Sequence, residues 1–305
     1  MKFEVREATP GDLPAIRQLC QSSLAWDRQD APELADLLWS HPEAAPSLRL
    51  LGSFGGAVLG AALGTLAGRP GPDGVRRGHL TLLVVAPEAR DQGLGRLLLS
   101  SMEERMAALG AGEAWVGNQA PCYAWPGVDV RYTPACCLLE SSGYQATPSP
   151  AMNMTVDLEA ASLGEDEGDR ALGARGISVE RLSHEQPDAF LAWVEAHWGP
   201  GWAWEAARTL RRDPVSCHVA RRGGEILGFA CHGTNRRSWF GPTGTAPSAR
   251  GQGIGTVLLR RCLADQRAAG LRTAEIAWVG PARFYSRAVG AFLDRTFRTF
   301  ARPLS

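Results

Sequence analysis

The pattern of apolar and polar positions predicts short strands and helices in alternation along both halves of the chain. Strands are indicated by alternation or by short apolar runs, and helices by apolar residues three or four positions apart. In the first half the predicted elements are strand 3–8, a helix through 13–19, strands 48–53 and 57–66 joined at Gly55-Gly56, strand 79–85, a helix from 95 to about 110 and strand 114–117. In the second half they are strand 177–182, a helix from about 187, a hairpin about Gly223-Gly224, a helix over 255–269 and strand 273–279. This order is typical of an α+β fold with mixed, mostly antiparallel sheets flanked by helices.

An internal repeat relates the two halves. Residues 86–99 and 246–259 match at 9 of 14 positions when they are aligned at an offset of 160. The sequence Ala-Trp-Val-Gly occurs at 114–117 and again at 277–280, at an offset of 163. Because two separated matches follow in the same order, the repeat predicts a duplicated domain. A chain of 305 residues is also long enough for two domains with a core each.

A charged stretch rich in alanine and glycine separates the repeats. It covers residues 159–176, includes the acidic run 165–169 and offers little apolar surface to bury. Such a composition favours a solvated linker. The predicted organisation is therefore a domain at 1–158, a linker at 159–176 and a second domain at 177–305.

Charge and cysteine content narrow the classes of function. The chain carries 32 basic and 32 acidic side chains, so it has no broad cationic field for nucleic acid or a membrane surface. Its 7 cysteines are odd in number and lack zinc-ligand spacing, so neither a disulfide framework nor a metal site is expected. The start of the chain is charged where a signal peptide is apolar, and the run 57–67 is too short to cross a bilayer. We therefore expect a cytoplasmic protein without nucleic-acid or membrane partners.

Each repeat contains a glycine-rich turn between a predicted strand and a predicted helix. Glycine permits a tight turn, and the amino terminus of a helix offers unpaired N–H groups and a positive dipole end. The turns therefore predict anion sites, with a pyrophosphate as the expected guest. The dinucleotide fingerprint would need glycine where Thr256 stands, and a P-loop needs a lysine, whereas the single lysine of the chain is Lys2. Two turns without any ligand are the alternative at this point.

The motif Arg-x-x-Gly-x-Gly after a buried strand resembles the acyl-CoA pyrophosphate motif of the GNAT superfamily of N-acetyltransferases. Both repeats match it, at Arg90, Gly93 and Gly95 and at Arg250, Gly253 and Gly255. The segment 284–292 is similar to the family's carboxyl-terminal Phe-Tyr…Gly-Phe segment, with one residue more than usual between Tyr285 and Gly290. The tandem layout resembles that of the mycothiol synthase type.

This resemblance implies two tandem GNAT-like domains and an enzyme that moves an acetyl group from acetyl-CoA to a primary amine of a small molecule. Transfer would be direct, within a ternary complex, and would need no metal. A main-chain N–H of the central strand would stabilise the tetrahedral oxyanion. The implied cofactor-binding residues are Val84, Val85, Arg90, Asp91, Gln92, Gly93, Leu94, Gly95 and Arg96 in the first half, and Gly244, Thr245, Arg250, Gly251, Gln252, Gly253, Ile254, Gly255 and Thr256 in the second.

The resemblance also implies a catalytic tyrosine in the second half. Tyr285 would protonate the departing thiolate as general acid, because the ordinary pKa of a phenol, about 10, is close to that of a thiol. Aligning Gly143-Tyr144 with the family's Gly-Phe pair puts Leu139 at the tyrosine position of the first half, and leucine cannot donate a proton. We therefore expect the second domain to be catalytic, although Pro242 weakens its central strand.

The general base and the acceptor pocket are less well defined by the sequence. Glu275 and His232 are candidate bases, but each can also be a solvated or hydrogen-bonded surface residue, and a water relay could replace both. Aromatic residues could line an apolar acceptor site or simply fill the core. They are Trp193, Trp198, Trp202 and Trp204 in the second half and Tyr123 and Trp125 in the first.

Two other functions fit the same residues. One is an acyl-CoA-binding or sensing protein in which one or both transferase sites are inactive. The other is a protein N-acetyltransferase, because a neutral surface neither attracts nor repels a lysine-bearing tail strongly. The expected quaternary state is a monomer or a homodimer.

Overall fold

The computed structural model describes residues 2–117, 121–164, 167–185 and 187–304. The chain forms two units of dense internal contacts, which are described separately below. The first unit consists of Met1–Ala151 with Thr296–Ser305, and the second of Met152–Arg295.

The strands and helices follow the order expected from the sequence. The strands are β1 (Glu4–Glu7), β2 (Ala44–Phe54), β3 (Ala57–Leu66), β4 (Arg77–Val85), β5 (Glu113–Val116), β6 (Val128–Asp129), β7 (Gln145–Ala146), β8 (Ala151–Asp157), β9 (Ile177–Arg181), β10 (Cys217–Arg222), β11 (Glu225–His232), β12 (Trp239–Thr245), β13 (Thr273–Ile276), β14 (Phe292–Arg298) and β15 (Phe300–Pro303). The helices are α1 (Leu13–Ser23), α2 (Ala31–Trp39), α3 (Leu94–Ala108), α4 (Thr133–Ser141), α5 (Glu167–Gly173), α6 (Pro187–Trp198), α7 (Pro200–Thr209), α8 (Ile254–Ala268) and α9 (Ala282–Val289).

Each unit is built on a mixed sheet with one parallel pair at its centre. The first sheet has the order β1-β2-β3-β4-β5-β15-β7, with β4 and β5 parallel. In the second unit the order is β14-β8-β13-β12-β11-β10-β9, with β12 and β13 parallel. The other strand pairs with a determined register are antiparallel. This architecture confirms the predicted α+β fold of two tandem domains.

Helix α3 lies close against the first sheet because glycines face it. Its buried residues include Leu94, Leu98 and Met102, which recur every fourth position along one face. A Cβ added at Gly60 would lie 2.9 Å from Leu98 Cδ1, and one at Gly64 would lie 2.8 Å from Met102 Sδ. The close packing holds the turn before α3 against the end of β4.

The two units exchange their last strands along the chain. Strand β15, at the carboxyl end of the sequence, inserts between β5 and β7 of the first sheet. Strand β8, which follows the first repeat, lies between β13 and β14 of the second sheet. These units therefore differ from the predicted ranges 1–158 and 177–305, because sheet membership follows strand pairing rather than the order of the sequence.

The stretch 159–176 also differs from a solvated linker where it is described. It contains α5, and Leu163 and Leu172 are buried in the core of the second unit. These leucines supply the apolar surface that the charged composition conceals. Glu165 and Asp166 of the predicted acidic run lie outside the described residues.

The second of the two sequence matches does not reflect structural equivalence. In the first unit Leu80 pairs with Val116, and in the second Phe240 pairs with Ile276, so the structural offset stays at 160. Strand β13 ends at Ile276, and the predicted strand 273–279 was therefore too long. Trp278, with φ of 48°, lies beyond the strand rather than in the place of Trp115.

No helix in the described ranges has both the length and the apolar character that a bilayer crossing requires.

Candidate active site

The two glycine-rich turns have almost the same backbone conformation. Gly93 precedes α3 with φ 91° and ψ −7°, and Gly253 precedes α8 with φ 88° and ψ −5°. This left-handed conformation favours glycine, because a Cβ would be strained there. The turn is therefore duplicated in structure as it is in sequence.

Each motif arginine braces its turn against the preceding strand. Arg90 Nε donates a hydrogen bond to the carbonyl oxygen of Val85 at 3.2 Å, and Arg250 Nε donates to that of Thr245 at 3.3 Å. These carbonyls end β4 and β12. The arginines therefore hold the loop in shape, whether or not they also contact a cofactor.

The helix starts provide the anion site that the sequence predicted. The first amides of α3 and α8 have no intrahelical acceptor and lie at the positive end of the helix dipole. The side chains of Leu94 and Ile254 are fully buried, so these two residues can offer a ligand only their main-chain atoms. Gln92 is also occupied, since its side-chain amide donates to the carbonyl oxygen of Glu88 at 2.9 Å.

Charges around the two turns differ. The first turn carries Glu88 and Asp91, where the second has Ser248 and Gly251. Two arginines bind Gln252 in the second turn: Arg175 donates to its carbonyl oxygen at 2.7 Å, and Arg222 to its side-chain oxygen at 3.3 Å. Electrostatics therefore favour an anion at the second turn over the first.

Both central strands separate from their parallel partner before they reach the turn. The last paired residues are Leu80 with Val116 in the first unit and Phe240 with Ile276 in the second. The predicted residues Val84 and Val85, and their equivalents Gly244 and Thr245, lie beyond this point. Amides of the separated strand ends are therefore available to a ligand on this side.

A cavity of about 560 Å³ opens in the first unit where β4 and β5 separate. It is lined by residues 80–85 of β4, residues 23–26 at the end of α1, the glycine-rich turn, the end of β5, and residues of α4 and of the segment that leads into it. It brings together most of the predicted first-half cofactor residues, namely Val84, Val85, Arg90, Asp91, Gly93, Gly95 and Arg96. Trp125 also lines the cavity, as does Leu139, which occupies the family's tyrosine position.

Tyr132 joins two walls of this cavity. Its hydroxyl donates a hydrogen bond to Asp27 Oδ2 at 2.8 Å and accepts one from the main-chain N–H of Trp26 at 3.1 Å. Asp27 is buried, at 2% exposure. A phenol held against a buried carboxylate is suited to proton transfer.

Arg131 and Asp129 form a second polar pair in the cavity wall. Arg131 Nη2 lies 2.7 Å and Nε 3.0 Å from Asp129 Oδ2, and the Asp129 side chain is fully buried. The guanidinium carbon of Arg131 lies 4.6 Å from the ring centroid of Trp26, a cation–π contact. This pair places a fixed cation beside an exposed aromatic ring.

The sequence reasoning missed Asp27, Asp129, Arg131 and Tyr132. The last three belong to the segment 117–132 between β5 and α4, whereas the second unit has the shorter segment 277–281 at the same place. A signal was present, because the offset between repeats falls from 160 at the turns to 147 between Gly143 and Gly290. The Ala-Trp-Val-Gly match at offset 163 masked this insertion. Of the segment, residues 118–120 lie outside the described residues.

The corresponding strand of the second unit is covered differently. Trp198, the last residue of α6, lies directly on β12, so that a Cβ at Gly244 would overlap its indole ring. Pro242, at the place of Leu82, lacks the N–H that a strand residue would offer. A ligand beside β12 therefore has less space than one beside β4, and it meets one main-chain N–H donor fewer.

Tyr285 lies in the core of the second unit. Its side chain is 7% exposed, with the ring centroids of Phe284 and Phe240 at 4.9 Å and 6.2 Å. Burial raises the pKa of its phenol to about 12. Tyr285 and Val289 form the buried face of α9, whereas Ser286 is exposed. This orientation disfavours proton donation to a cofactor thiolate, and the catalytic role of Tyr285 stays a prediction.

The two candidate bases are held in local networks. Glu275 is buried, lies 3.0 Å from Arg295 Nη1 and accepts a hydrogen bond from the Asn153 side chain. His232 Nε2 lies 3.3 Å from Asp265 Oδ2, and burial lowers the pKa of this histidine. Both arrangements favour the alternative that these residues stabilise the fold.

The aromatic cluster of the second unit is mainly packed against itself. Trp198 stacks on Trp202 with ring centroids 5.8 Å apart and lies 5.1 Å from Trp193. Trp204 has the guanidinium of Arg208 over its ring at 5.1 Å. In the first unit Trp125, but not Tyr123, is among the cavity-lining residues.

Comparison with known proteins places these features in a family. The model of the family described as "Acetyltransferase (GNAT) family" matches residues 13–122 and 179–290, which include both turns. No curated protein sequence matches the chain.

Several solved structures share the fold at low sequence identity. The tandem GNAT protein from the clavulanic acid biosynthesis pathway is 19% identical, with a TM-score of 0.72 and coverage of 100% of this chain and 99% of that one. A GCN5-related N-acetyltransferase from Sphaerobacter thermophilus is 20% identical, with a TM-score of 0.66 and coverage of 99% and 96%. The glucosamine N-acetyltransferase region of a fungal multi-domain GH3 beta-N-acetylglucosaminidase is 18% identical, with a TM-score of 0.75; 99% of this chain aligns, and it spans 38% of that protein.

Proposed function

Since the chain belongs to the GNAT family of acetyltransferases, we propose that it transfers an acetyl group from acetyl-CoA to a primary amine of a small molecule. We further propose that the first unit performs this transfer. The cavity of about 560 Å³ carries the proposal, because it joins a free strand end, a glycine-rich turn and buried polar side chains in one space. Its walls on several sides also favour a small acceptor over a protein surface.

The main chain of the first unit supplies the donor site. Amides at the start of α3 bind the pyrophosphate, and the separated end of β4 binds the pantetheine arm beside Val84 and Val85. An N–H of this strand end stabilises the negative charge that develops on the acetyl oxygen during attack. These interactions are made by the backbone, so the acidic residues of the first turn can weaken them but do not remove them.

Tyr132 and Asp27 handle the proton of the acceptor. The amine nitrogen attacks the carbonyl carbon of the thioester, the carbon–sulfur bond breaks, and the sulfur leaves with the electron pair. Tyr132 accepts the proton that the nitrogen loses while its own hydroxyl proton passes to Asp27, 2.8 Å away. The thiolate takes its proton either from water or from Tyr132 and Asp27, which then return to their starting protonation states.

A second candidate function concerns the second unit, which we propose binds acyl-CoA without turnover. The arginines on Gln252 support binding of a phosphate there. Trp198 on Gly244, together with Pro242 in the strand, argues against a productive thioester position. The opposite assignment, in which the second domain is catalytic through Tyr285, is the alternative that experiment must separate from it.

Matched substitutions in the two turns test the assignment. Gly95 and Gly255 are equivalent, and a Cβ would meet Leu138 at 3.3 Å in the first and Phe284 at 3.5 Å in the second. Leucine at either position fills the path beside its turn. We expect Gly95→Leu to abolish thiol release from acetyl-CoA over an amine panel, while Gly255→Leu retains it and loses at most a calorimetric binding step.

Three outcomes would contradict the proposal. Turnover that survives Gly95→Leu and is lost in Gly255→Leu would make the second unit catalytic. Binding of acetyl-CoA with no thiol release over the whole amine panel would favour an acyl-CoA-binding protein. No binding by either unit would overturn the acetyltransferase function itself.

A further inference from the structure

The guanidinium of Arg131 is held rigidly at the cavity wall. Its Nε and Nη2 both bind Asp129, and the main-chain N–H of Arg131 donates to Asp129 Oδ1 at 2.9 Å. The ring of Trp26 supports one face of the guanidinium. A side chain fixed in this way loses little conformational entropy when it binds a ligand, which increases affinity.

One edge of this guanidinium is left for a ligand. Within the described ranges, Nη1 of Arg131 makes no hydrogen bond, and the side chain is 29% exposed while it lines the cavity. Arginine presents its N–H groups as a planar fork that matches a carboxylate. The cavity therefore offers an oriented donor pair next to two aromatic residues, Trp26 and Trp125.

The charge of the pair limits the kind of anion. Asp129 already neutralises one positive charge, so a monoanion is balanced more easily than a phosphate dianion. A carboxylate also fits the planar edge of the guanidinium with two parallel hydrogen bonds. The corresponding segment of the second unit, 277–281, has no counterpart of this pair, because its sequence Ala-Trp-Val-Gly-Pro contains neither aspartate nor arginine.

We propose that the acceptor amine carries a carboxylate, which Arg131 binds, and an apolar or aromatic body, which lies against Trp26 and Trp125. This inference rests on the proposed function of the first unit. It narrows the substrate class from primary amines in general to amino acids and related amino carboxylates.

Matched acceptors test the substrate class in the full-length protein. Thiol release from acetyl-CoA is measured with phenylalanine and with phenethylamine, which lacks the carboxylate. We expect kcat/KM for phenylalanine to be at least about tenfold higher, mainly through KM. O-phosphoethanolamine and ethanolamine form a second pair, in which a preference for the phosphate would overturn the choice of a carboxylate.

Variants of Arg131 connect the preference to this residue. In Arg131→Gln the ratio of the two kcat/KM values should collapse to about one. Because this variant leaves Asp129 buried without its partner, the double variant Asp129→Asn with Arg131→Gln serves as a second test that creates no unpaired charge. Arg105→Gln, which breaks an ion pair with Glu7 outside the cavity, is the matched control and should keep the preference.

A binding measurement separates failure of this inference from failure of the proposed function. 3-Phenylpropionate carries the carboxylate and the ring without the amine, so calorimetry detects it even if no amine is acetylated. We expect it to bind the unmodified protein and to bind the double variant at least about tenfold more weakly. Equal binding of 3-phenylpropionate to the unmodified protein and the double variant would overturn the inference, and so would equal kcat/KM values for phenylalanine and phenethylamine. Neither result would contradict the acetyltransferase function.

Discussion

The two glycine-rich turns share their backbone conformation and a motif arginine, but most of the side chains around them differ. The first lies beside a cavity with Tyr132 and Arg131 in its wall, and it carries acidic residues of its own. The second has arginines bound to Gln252 and an indole resting on its strand. The duplicated part is thus the main chain of the turn with its glycines and its arginine, and the divergent part consists of the other side chains around it. The available space favours acyl transfer in the first unit, and the local charge favours anion binding in the second.

Removing one hydroxyl group from each unit tests which unit is catalytic, and this test has the largest expected effect. We expect Tyr132→Phe to lower kcat roughly 100- to 1,000-fold, because general acid–base catalysis contributes about that much. Its KM for acetyl-CoA should change little, since the hydroxyl lies on the acceptor side. Tyr285→Phe should keep kcat within about twofold, because the phenol is buried in the core. Steady-state kinetics on both variants decides between the two units.

Asp27→Asn serves as the companion variant to Tyr132→Phe. If the two residues act as one relay, the double variant should be no slower than the slower single variant. A large loss of kcat in Tyr285→Phe with none in Tyr132→Phe would return the reaction to the second unit.

Opposite pH dependence of stability is expected from one buried group in each unit. Burial lowers the pKa of His79 in the first unit to about 4. Its contribution to the free energy of unfolding is therefore complete above the ordinary pKa near 6.5 and is lost as the pH falls toward 4. Burial raises the pKa of Glu205 in the second unit to about 8. Its contribution to the free energy of unfolding is therefore complete below about pH 4.5 and is lost as the pH rises toward 8.

Urea denaturation of two variants measures these opposite slopes. Relative to the unmodified protein, Glu205→Gln should gain about 2 kcal/mol in the free energy of unfolding between pH 5 and pH 7. His79→Gln should gain a similar amount of unfolding free energy relative to the unmodified protein when the pH falls from 6.5 to 4.5. A variant whose curve stays parallel to that of the unmodified protein would show that its group does not change protonation on folding.

Removing the indole on β12 should make the second unit more like the first. Trp198→Ala clears the space above Gly244 at a cost of about 3 kcal/mol in stability, because Trp198 also packs on Trp202 and Phe229. We expect acetyl-CoA to bind the second unit about tenfold more tightly in calorimetry on a Gly95→Leu background. Trp204→Ala, whose ring instead packs under Arg208, is the control. Unchanged affinity would mean that the indole does not compete with the cofactor.

Exchanging loop charges should have the smallest effect. Asp91→Gly gives the first turn the residue of the second and suits the positive φ of 59°. It should raise acetyl-CoA affinity of the first unit about threefold at low salt, and Arg175→Gln should lower that of the second unit by a similar factor. Both effects should shrink toward 1 M salt, because exposed charges are screened. Salt-independent changes would point to altered loop shape instead.

Local features were predictable because they depend on few residues. The turns and their helices follow from the Arg-x-x-Gly-x-Gly motif, and the central strand of the first half follows from a continuous apolar run; the structure confirms them. The burial of Tyr285 was not predictable from the motif, because motif spacing does not show which face of a helix packs on the core. Asp27 and Tyr132, which are 105 positions apart, meet through folding, and no local pattern connects them.

Strand pairing was the least predictable part of the fold. Strand β8 has an ordinary alternating pattern that would suit either sheet, and β15 has only four residues, so neither pattern specifies the partner strand. The length of the segment 117–132 could have been read from the change in offset, but its role as a cavity wall depends on where its ends are anchored.

The exchange of last strands has a consequence for how the protein is made. When the ribosome has synthesised the first repeat, the gap between β5 and β7 has no strand to fill it, because Phe300–Pro303 follows the second repeat in the sequence. The first unit can therefore close its sheet only after the second repeat has been produced. Neither repeat is a module that can be cut out at its sequence boundary, and a stop codon near position 299 would leave open the sheet beside the cavity at the opposite end of the sequence.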